Sequence, residues 1–388
     1  MKARCLTLTL GTAGALFFTG CATQAPLFQY RDTGDPVEDG IHAIENAPAK
    51  DRVLWQYRTA AIAMRLHKYD LAESLLDDAL ASIGGIITND KAARKARSLF
   101  HAESDKRFIG EPYERVMAYY YRGILYWVKG EIDNARACFL SGQFIDGDTE
   151  NREYAADYVM LDYLDGLVMQ KLGNEGSNAR DQAEANSRYE TLPPYEVDHN
   201  FALFVELGIG PRKYATGDYL EELRFRSGKK QAHSAVVRIA GQKLDILPYD
   251  DLYYQATTRG GRVMDHILGN KAVFKSSTSE VGDVALLGGT LMMTDRNLRE
   301  AGAAVAAIGL ISKIFSASTN PTADTRTWDN LPQYLGFKSL KLTPGDHRAE
   351  VHFFDDEGKP LKDLNRSITV NVTEQLRNSA LFISSKKH

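Results

Sequence analysis

Signatures of catalysis are what this chain most conspicuously lacks. It has no G-x-S-x-G elbow, no H-E-x-x-H pair and no G-x-x-x-x-G-K-[ST] loop, so the usual local marks of serine hydrolysis, zinc proteolysis and nucleotide binding are missing. The glycine-rich stretch at 259–262 has no lysine at P-loop spacing and reads as a loop. Histidines number only nine. His347 and His352 lie on one predicted strand at an odd spacing, which sends them to opposite faces. Asp77–Asp78 and Asp250–Asp251 are adjacent pairs that point apart, whereas paired-carboxylate hydrolysis needs two groups converging across a cleft. No metal, cofactor or enzymatic activity is expected. With 47 basic and 51 acidic residues and no basic block, the chain shows no nucleic-acid footprint. Long hydrophobic runs are also absent: the apolar run from Ala301 to Ile311 is about half the ~20 residues a membrane helix needs.

Cysteine is nearly absent, with three in the chain, and one of them carries the clearest local signal. Lys2 and Arg4 precede a short apolar core that ends in small residues, the pattern of a secretory signal peptide over 1–20. Phe18-Thr19-Gly20-Cys21 resembles the bacterial lipobox, which implies acylation of Cys21 and cleavage before it. Two or more acyl chains hold a protein stably on a bilayer. In Gram-negative lipoproteins an aspartate after the cysteine retains the protein at the inner membrane; here the sorting position is Ala22. The resemblance therefore implies the outer membrane, with the body facing the periplasm. Cys5 leaves with the signal peptide, so Cys138 stands alone without an internal disulfide. The fold must rest on its hydrophobic core.

Residues 21–50 read as a lipidated tether, broken by proline, glycine and acidic residues, with Phe28 and Tyr30 docking on the body. From 51 to 194 the pattern is helical and repetitive. Aligning Ala61–Leu80 with Ile124–Gln143 places Ala72 on Ala135, Leu76 on Phe139, Ala79 on Gly142 and Ala60 on Gly123. Gly166 and Gly173 in a third copy are spaced as Gly123 and Gly130 are. This resembles the tetratricopeptide repeat (TPR), although Ala72 and Ala135 stand nearly two ~34-residue periods apart, so an extra helix is expected near 89–103. The resemblance implies an irregular solenoid of three helix pairs with a concave partner-binding groove. That groove would be lined by Tyr57, Ala61, Met64, Tyr120, Ile124 and Trp127. The alternative is that these side chains are core.

Near residue 195 the period becomes strand-like. "SAVVRIAG", "KAVFKSS", "HRAEVHFF" and "RSITVNV" read as strands, and "LTPGDHRAEV" resembles the strand-turn-strand opening of small periplasmic β-sandwich modules. Residues 297–318 read as one apolar helix, packed on the body or against a partner or membrane surface. The fold class is α+β: an α-helical TPR-like N-terminal solenoid (51–194) followed by a β-rich, sandwich-like region (195–388) with that helix.

Three stretches carry a wider resemblance: "RFIGEPYERVMAYYYRGILYWVKGEIDNA", "VELGIGPRK" and "ADTRTWDNLPQYLGFKSLKLTPGDHRAEV". In order, they make the chain similar to a family of Gram-negative lipoproteins with a TPR-like N-terminal half and a β-rich C-terminal half. Within them, Phe108, Glu111, Tyr113, Glu114 and Arg115 are expected to order the loop entering the second helix pair. Arg326, Trp328, Leu331 and Pro332 are expected to clamp the last β unit onto the preceding helix; as an alternative, Arg326 and Trp328 form an interface ledge. The functional expectation is a non-enzymatic outer-membrane lipoprotein, a protein-interaction scaffold or adaptor with an envelope protein docked on the helical groove. Peptidoglycan binding through the β region is the alternative, and an envelope hydrolase the least favoured reading.

Overall fold

In a computed structural model that describes residues 28–87, 106–147, 158–187, 192–228, 231–258, 322–374 and 378–386, the first helix falls inside the expected tether. It is α1 (Pro36–Asn46). Asp35 caps it by accepting from the amides of Val37 (2.9 Å) and Glu38 (3.1 Å), and Pro36 fits the first turn. The Asp-Pro pair is thus a helix start rather than a break. Gly40 lets α1 cross the next helix closely, since a Cβ there would overlap Thr59. Upstream, Phe28 and Tyr30 do dock, with ring centroids 5.7 and 5.2 Å from that of Trp55.

Three side-by-side helix pairs follow: α2 (Arg52–Arg65) with α3 (Tyr69–Ile87), α4 (Pro112–Val128) with α5 (Ile132–Asp146), and α6 (Val159–Lys171) with α7 (Ser177–Asn186). The pairs share one turn. At His67, Gly130 and Gly173 the backbone enters the left-handed region, with φ of 56°, 79° and 80°. In each case that residue's amide bonds the carbonyl three before it, and the next amide bonds the carbonyl five before it. Glycine suits this position. His67 occupies it in the first pair, with its ring Nε2 3.0 Å from the Phe382 carbonyl of the β half. Gly123 faces Phe139 so closely that a Cβ would overlap the ring, which is why a small residue stands at that crossing.

The strands are β1 (Phe201–Leu207), β2 (Arg212–Thr216), β3 (Glu222–Arg226), β4 (Ser234–Ile239), β5 (Gln242–Ile246), β6 (Pro248–Asp251), β7 (Tyr334–Leu340), β8 (Gly345–Phe354), β9 (Arg366–Val372) and β10 (Ser379–Ser384), with a short helix α8 (Leu252–Thr257) after β6. One sheet has the order β10-β1-β7-β6, with β10 parallel to β1 and the other pairs antiparallel. A second, antiparallel sheet has the order β5-β4-β8-β9, and β2–β3 form a separate hairpin. The two sheets form a sandwich: Phe201, Leu203, Val205 and Leu207 of β1 share a core with Val237, Val351 and Phe353.

The opposite face of β1 meets the helices, so the architecture is three layers and β1 is buried throughout. This overturns the expected groove. Tyr57, Ala61, Met64, Tyr120, Ile124 and Trp127 are at most 1% exposed. Trp127 and Tyr120 set their rings edge-on to Phe204 at 5.5 and 6.3 Å, and Tyr57 stacks on Trp328 at 4.3 Å. The apolar stripe of the first helices is covered by the chain's own sheet. Leaving that many large side chains in water would forgo about 1.5–3 kcal/mol each.

Buried acids stitch the layers. Glu206, on the helix-facing side of β1, takes the Arg65 Nε at 2.9 Å and the Tyr121 hydroxyl. Arg65 also donates to the Asn330 carbonyl at 2.6 Å. Burial works against the Arg65 charge, and Glu206 and Tyr121 outweigh it, holding its pKa above the ordinary value. Asp250 of β6 accepts from the amides of Val159 (3.0 Å) and Met160 (2.8 Å) at the start of α6, while Asp251 caps α8. The adjacent carboxylates thus serve two different helices.

Cys21, Ala22, the helices read near 89–103 and at 297–318, the strand at 271–277 and the loop at 259–262 lie outside the described residues. No helix among the described residues is long and apolar enough to cross a membrane.

Glu206→Ala is expected to lower unfolding stability by about 3–5 kcal/mol in urea titrations, because it strands the Arg65 charge in the core. Combining Arg65→Met with Glu206→Leu should recover most of that loss. If the double variant loses as much as both single variants together, the two side chains are not a coupled pair.

Candidate functional site

The hairpin β2–β3 alternates between two faces along β3 and at the start of β2. Lys213 and Phe225 point inward as cross-strand partners, and Arg212 and Arg226 point outward as another pair. Lys213 anchors the inner face by donating to Glu114 Oε2 at 2.7 Å, with both side chains nearly inaccessible. Glu114 also accepts from its own Glu111 amide (2.7 Å) and from the Trp328 amide (2.7 Å). One carboxylate therefore closes the capping box that starts α4, holds the hairpin and ties down the segment before β7. The sequence-based expectation that Glu111 and Glu114 order this loop describes what is found.

Between the hairpin, α2 and residues 325–329 lies a cleft of about 520 Å³. Its charge is lopsided. Arg58, Arg212, Lys213, Arg226 and Arg326 line it against two acids, Asp51 and Asp329. Arg58 donates to the Thr327 carbonyl at 2.7 Å and sits 2.9 Å from Asp329 Oδ1. Arg212 reaches the other oxygen of Asp329 only at 3.6 Å. Arg226 has no charge partner among the described residues. Phe28 and Trp55 form an aromatic wall, with the Arg58 guanidinium 4.8 Å from the Trp55 ring centroid. Like charges facing each other across a hairpin cost stability, and Asp329 offsets that cost on the Arg212 side.

The expected ledge is corrected in part. Trp328 is fully buried on Tyr57 and offers no surface to a partner. Arg326 is held by Asp51 at 2.7 Å, by Asp324, and by the Lys106 carbonyl at 2.8 Å. Burial disfavours its charge, and Asp324 and Asp51 outweigh that, so its pKa stays above the ordinary value. Together with buried Leu331 and Pro332, these residues clamp the pre-β7 segment onto α2 and α4. Arg326 still forms part of the cleft wall.

Two other places hold polar groups. Near Lys171, Asp198 and Asn200 a second cavity of about 460 Å³ opens. There Glu196, Asp198 and His199 bring ligand atoms within 4.8 Å of one another, a grouping with metal-ligand chemistry that the sequence reading did not single out. Asp198 pairs with Lys341 at 2.9 Å and His199 Nδ1 lies 2.9 Å from Ser339 Oγ. His347 and His352 sit on opposite faces of β8, each with a separate partner. Cys138 is half-buried, and burial pushes its thiol up to about 11, away from the thiolate that nucleophilic chemistry uses.

The arginine cleft was missed in the sequence because its parts come from positions as far apart as 58, 226 and 329. The one local signal was "RKYATGDYLEELRFR", where basic residues alternate with apolar ones across a turn. Comparison of the chain with family models, curated proteins and solved structures finds no match.

Beside the Arg65–Glu206 pair, Lys386 donates to the Leu331 carbonyl at 2.6 Å. Burial, reinforced by the Arg65 charge, pushes its ammonium down from 10.5 to about 7. Between those values the unfolded chain binds the proton and the folded chain does not, so stability rises with pH; the full cost is present only below pH ~7. The unfolding free energy between pH ~7 and ~9 should climb by up to about 1.4 kcal/mol per unit from this group. Lys386→Met is expected to flatten that climb, and an unchanged slope would contradict the assignment.

Proposed function

We propose that the protein is a non-enzymatic, lipid-anchored binding protein of the outer membrane that holds an anionic envelope component in the arginine cleft. The observation that carries this reading is the outward Arg212–Arg226 pair, like charges set opposite each other at the mouth of an aromatic-walled cavity. Lys213 is paired with Glu114, Arg326 with Asp51 and Asp324, and Arg58 and Arg212 with Asp329, which leaves Arg226 as the charge that a small anionic ligand in a cavity of this size would meet. Anchoring through Cys21, with Ala22 directing the chain to the outer membrane, supports the reading from the sequence. Confinement to a surface raises effective concentration, so modest affinity suffices.

The three repeated helix pairs, with small residues at their crossings and one shared turn, support a TPR-like ancestry for the helical half. Their concave face, however, is spent on the β layer. The docking of an envelope protein on that face is therefore not carried forward. Binding of an envelope glycan, the alternative read from sequence, fits better, because the β half supplies Arg212 and Arg226 while the helical half supplies Trp55 and Arg58.

Cosedimentation of the Cys21→Ser chain, which lacks acyl anchoring, with isolated envelope material tests the reading. Retention is expected at low salt and should fall at least about tenfold in Arg212→Glu/Arg226→Glu, given charge-assisted contacts worth ~1.5–3 kcal/mol each. Equal retention of the two chains would refute it.

A further inference from the structure

A sheet edge is a row of unpaired amides and carbonyls, and natural proteins blunt it with proline, charge, a bulge or a covering element. Three of the four edges of the two described four-stranded sheets follow that practice. In the first sheet, β6 carries Pro248 and a register shift, and its two aspartates are spent on helix starts. At the other end β10 is buried almost throughout, and its Phe382 carbonyl lies 3.0 Å from His67 Nε2. In the second sheet, β5 presents Lys243 and Asp245 to solvent, paired at 2.9 Å. The fourth edge, β9, has none of these devices. Its sequence, RSITVNV, holds one charge, Arg366 at the first position, and is otherwise uncharged and rich in β-branched residues. It pairs with β8 on one side only, so every second residue turns its amide and carbonyl outward. Among the described residues, the backbone of 367–372 bonds to nothing but β8. Arg348 of β8 donates to Ser367 Oγ at 2.7 Å, and Asn371 donates to Asp346 of β8 at 2.6 Å. These contacts fix β9 on its own sheet without covering its outer side.

That edge is complementary to itself. A two-fold axis normal to the sheet at Thr369, the middle of β9, sets two copies antiparallel with the whole strand paired. Ile368 then lies opposite the second copy's Val370, Ser367 opposite its Asn371, and Arg366 opposite its Val372, so no like charges meet. On the inner face, Ile368 and Val370 are only partly buried against the sandwich core, and each gains an apolar cross-strand neighbour. On the outer face, the exposed charges Asp346, Arg348 and Glu350 stand one strand back on β8. The two copies' charged rows would be three strand spacings apart, about 14 Å, beyond the ~8 Å screening length at physiological salt. We infer that β9 is a homodimer interface, pairing with β9 of a second copy to join two four-stranded sheets into one of eight. Each copy offers this edge once, and the far edge, β5, is charged, so the assembly closes at two. The contact uses no residue of the arginine cleft and stands independently of how that cleft is read.

Sedimentation equilibrium of the Cys21→Ser chain should show a monomer–dimer equilibrium between ~1 and ~100 μM, the range of a small, transient interface. Thr369→Lys, at an exposed position, sets two ammonium groups face to face on the axis and should raise the dissociation constant at least about tenfold. Thr369→Glu should do the same. An equimolar mixture of the two variants should dimerise again, which also shows that both are folded. Under oxidising conditions Thr369→Cys should yield disulfide-linked dimers, since residues opposite each other across an antiparallel pair have Cα atoms ~4.5–5.5 Å apart. Ser367→Cys should not, because its symmetry mate lies four residues along the strand, about 14 Å away. The parent chain, which keeps Cys138, gives the background for both. A parent chain that stays monomeric over that range, a dimer indifferent to Thr369→Lys, a mixture that fails to associate, or Ser367→Cys linking as readily as Thr369→Cys overturns the inference.

Discussion

A strand covered on both faces and carrying one charge is the constraint on which the remaining structure depends. β1 puts Phe201, Leu203, Val205 and Leu207 into the sandwich and Ala202, Phe204 and Glu206 against the helices. Slipping its register by one residue would exchange the two sets. Glu206 would then enter a core of Val237, Val351 and Phe353 with no cation to meet it. The Arg65–Glu206–Tyr121 cluster therefore need not add net stability, since buried ion pairs often do not. Its effect is to make one register and one docking of helices on sheet far better than the rest.

A second buried acid turns that docking into a site. Glu114 fixes the start of α4, the inward Lys213 and the Trp328 amide together. Because strand residues alternate, holding Lys213 inward obliges Arg212 to face out, and its partner Arg226 follows. The helix pair then brings Arg58 and Trp55 to the opposite wall. The cleft is thus a product of the interface between halves, and neither half contains it alone.

Much of the architecture was legible in the sequence. The helix-to-strand change near residue 195, the Gly123–Phe139 crossing and the Gly130 and Gly173 turns follow from local patterning. So do the Glu111–Glu114 cap and strands such as Ser234–Ile239 and Arg366–Val372. What was not legible arises from layer stacking. A groove and a core place the same aromatic stripe on the same helix face, and only the sheet that covers Tyr120 and Trp127 distinguishes them. Likewise Asp35-Pro36 reads as a break until α1 has α2 to pack on. The cleft was hidden because side chains from three distant segments converge there.

The central claim is that the helix face carrying Tyr57, Tyr120 and Trp127 is core, closed by the first sheet as one cooperative unit. Hydrogen exchange of the native chain measures this most directly. The amides of α2 and α4 and those of β1 and β10 should exchange through the same global opening, with equal opening free energies that fall together in urea. If α2 and α4 instead stay protected after β1 and β10 have opened, the helical half stands without its sheet. The covered face would then be a groove after all.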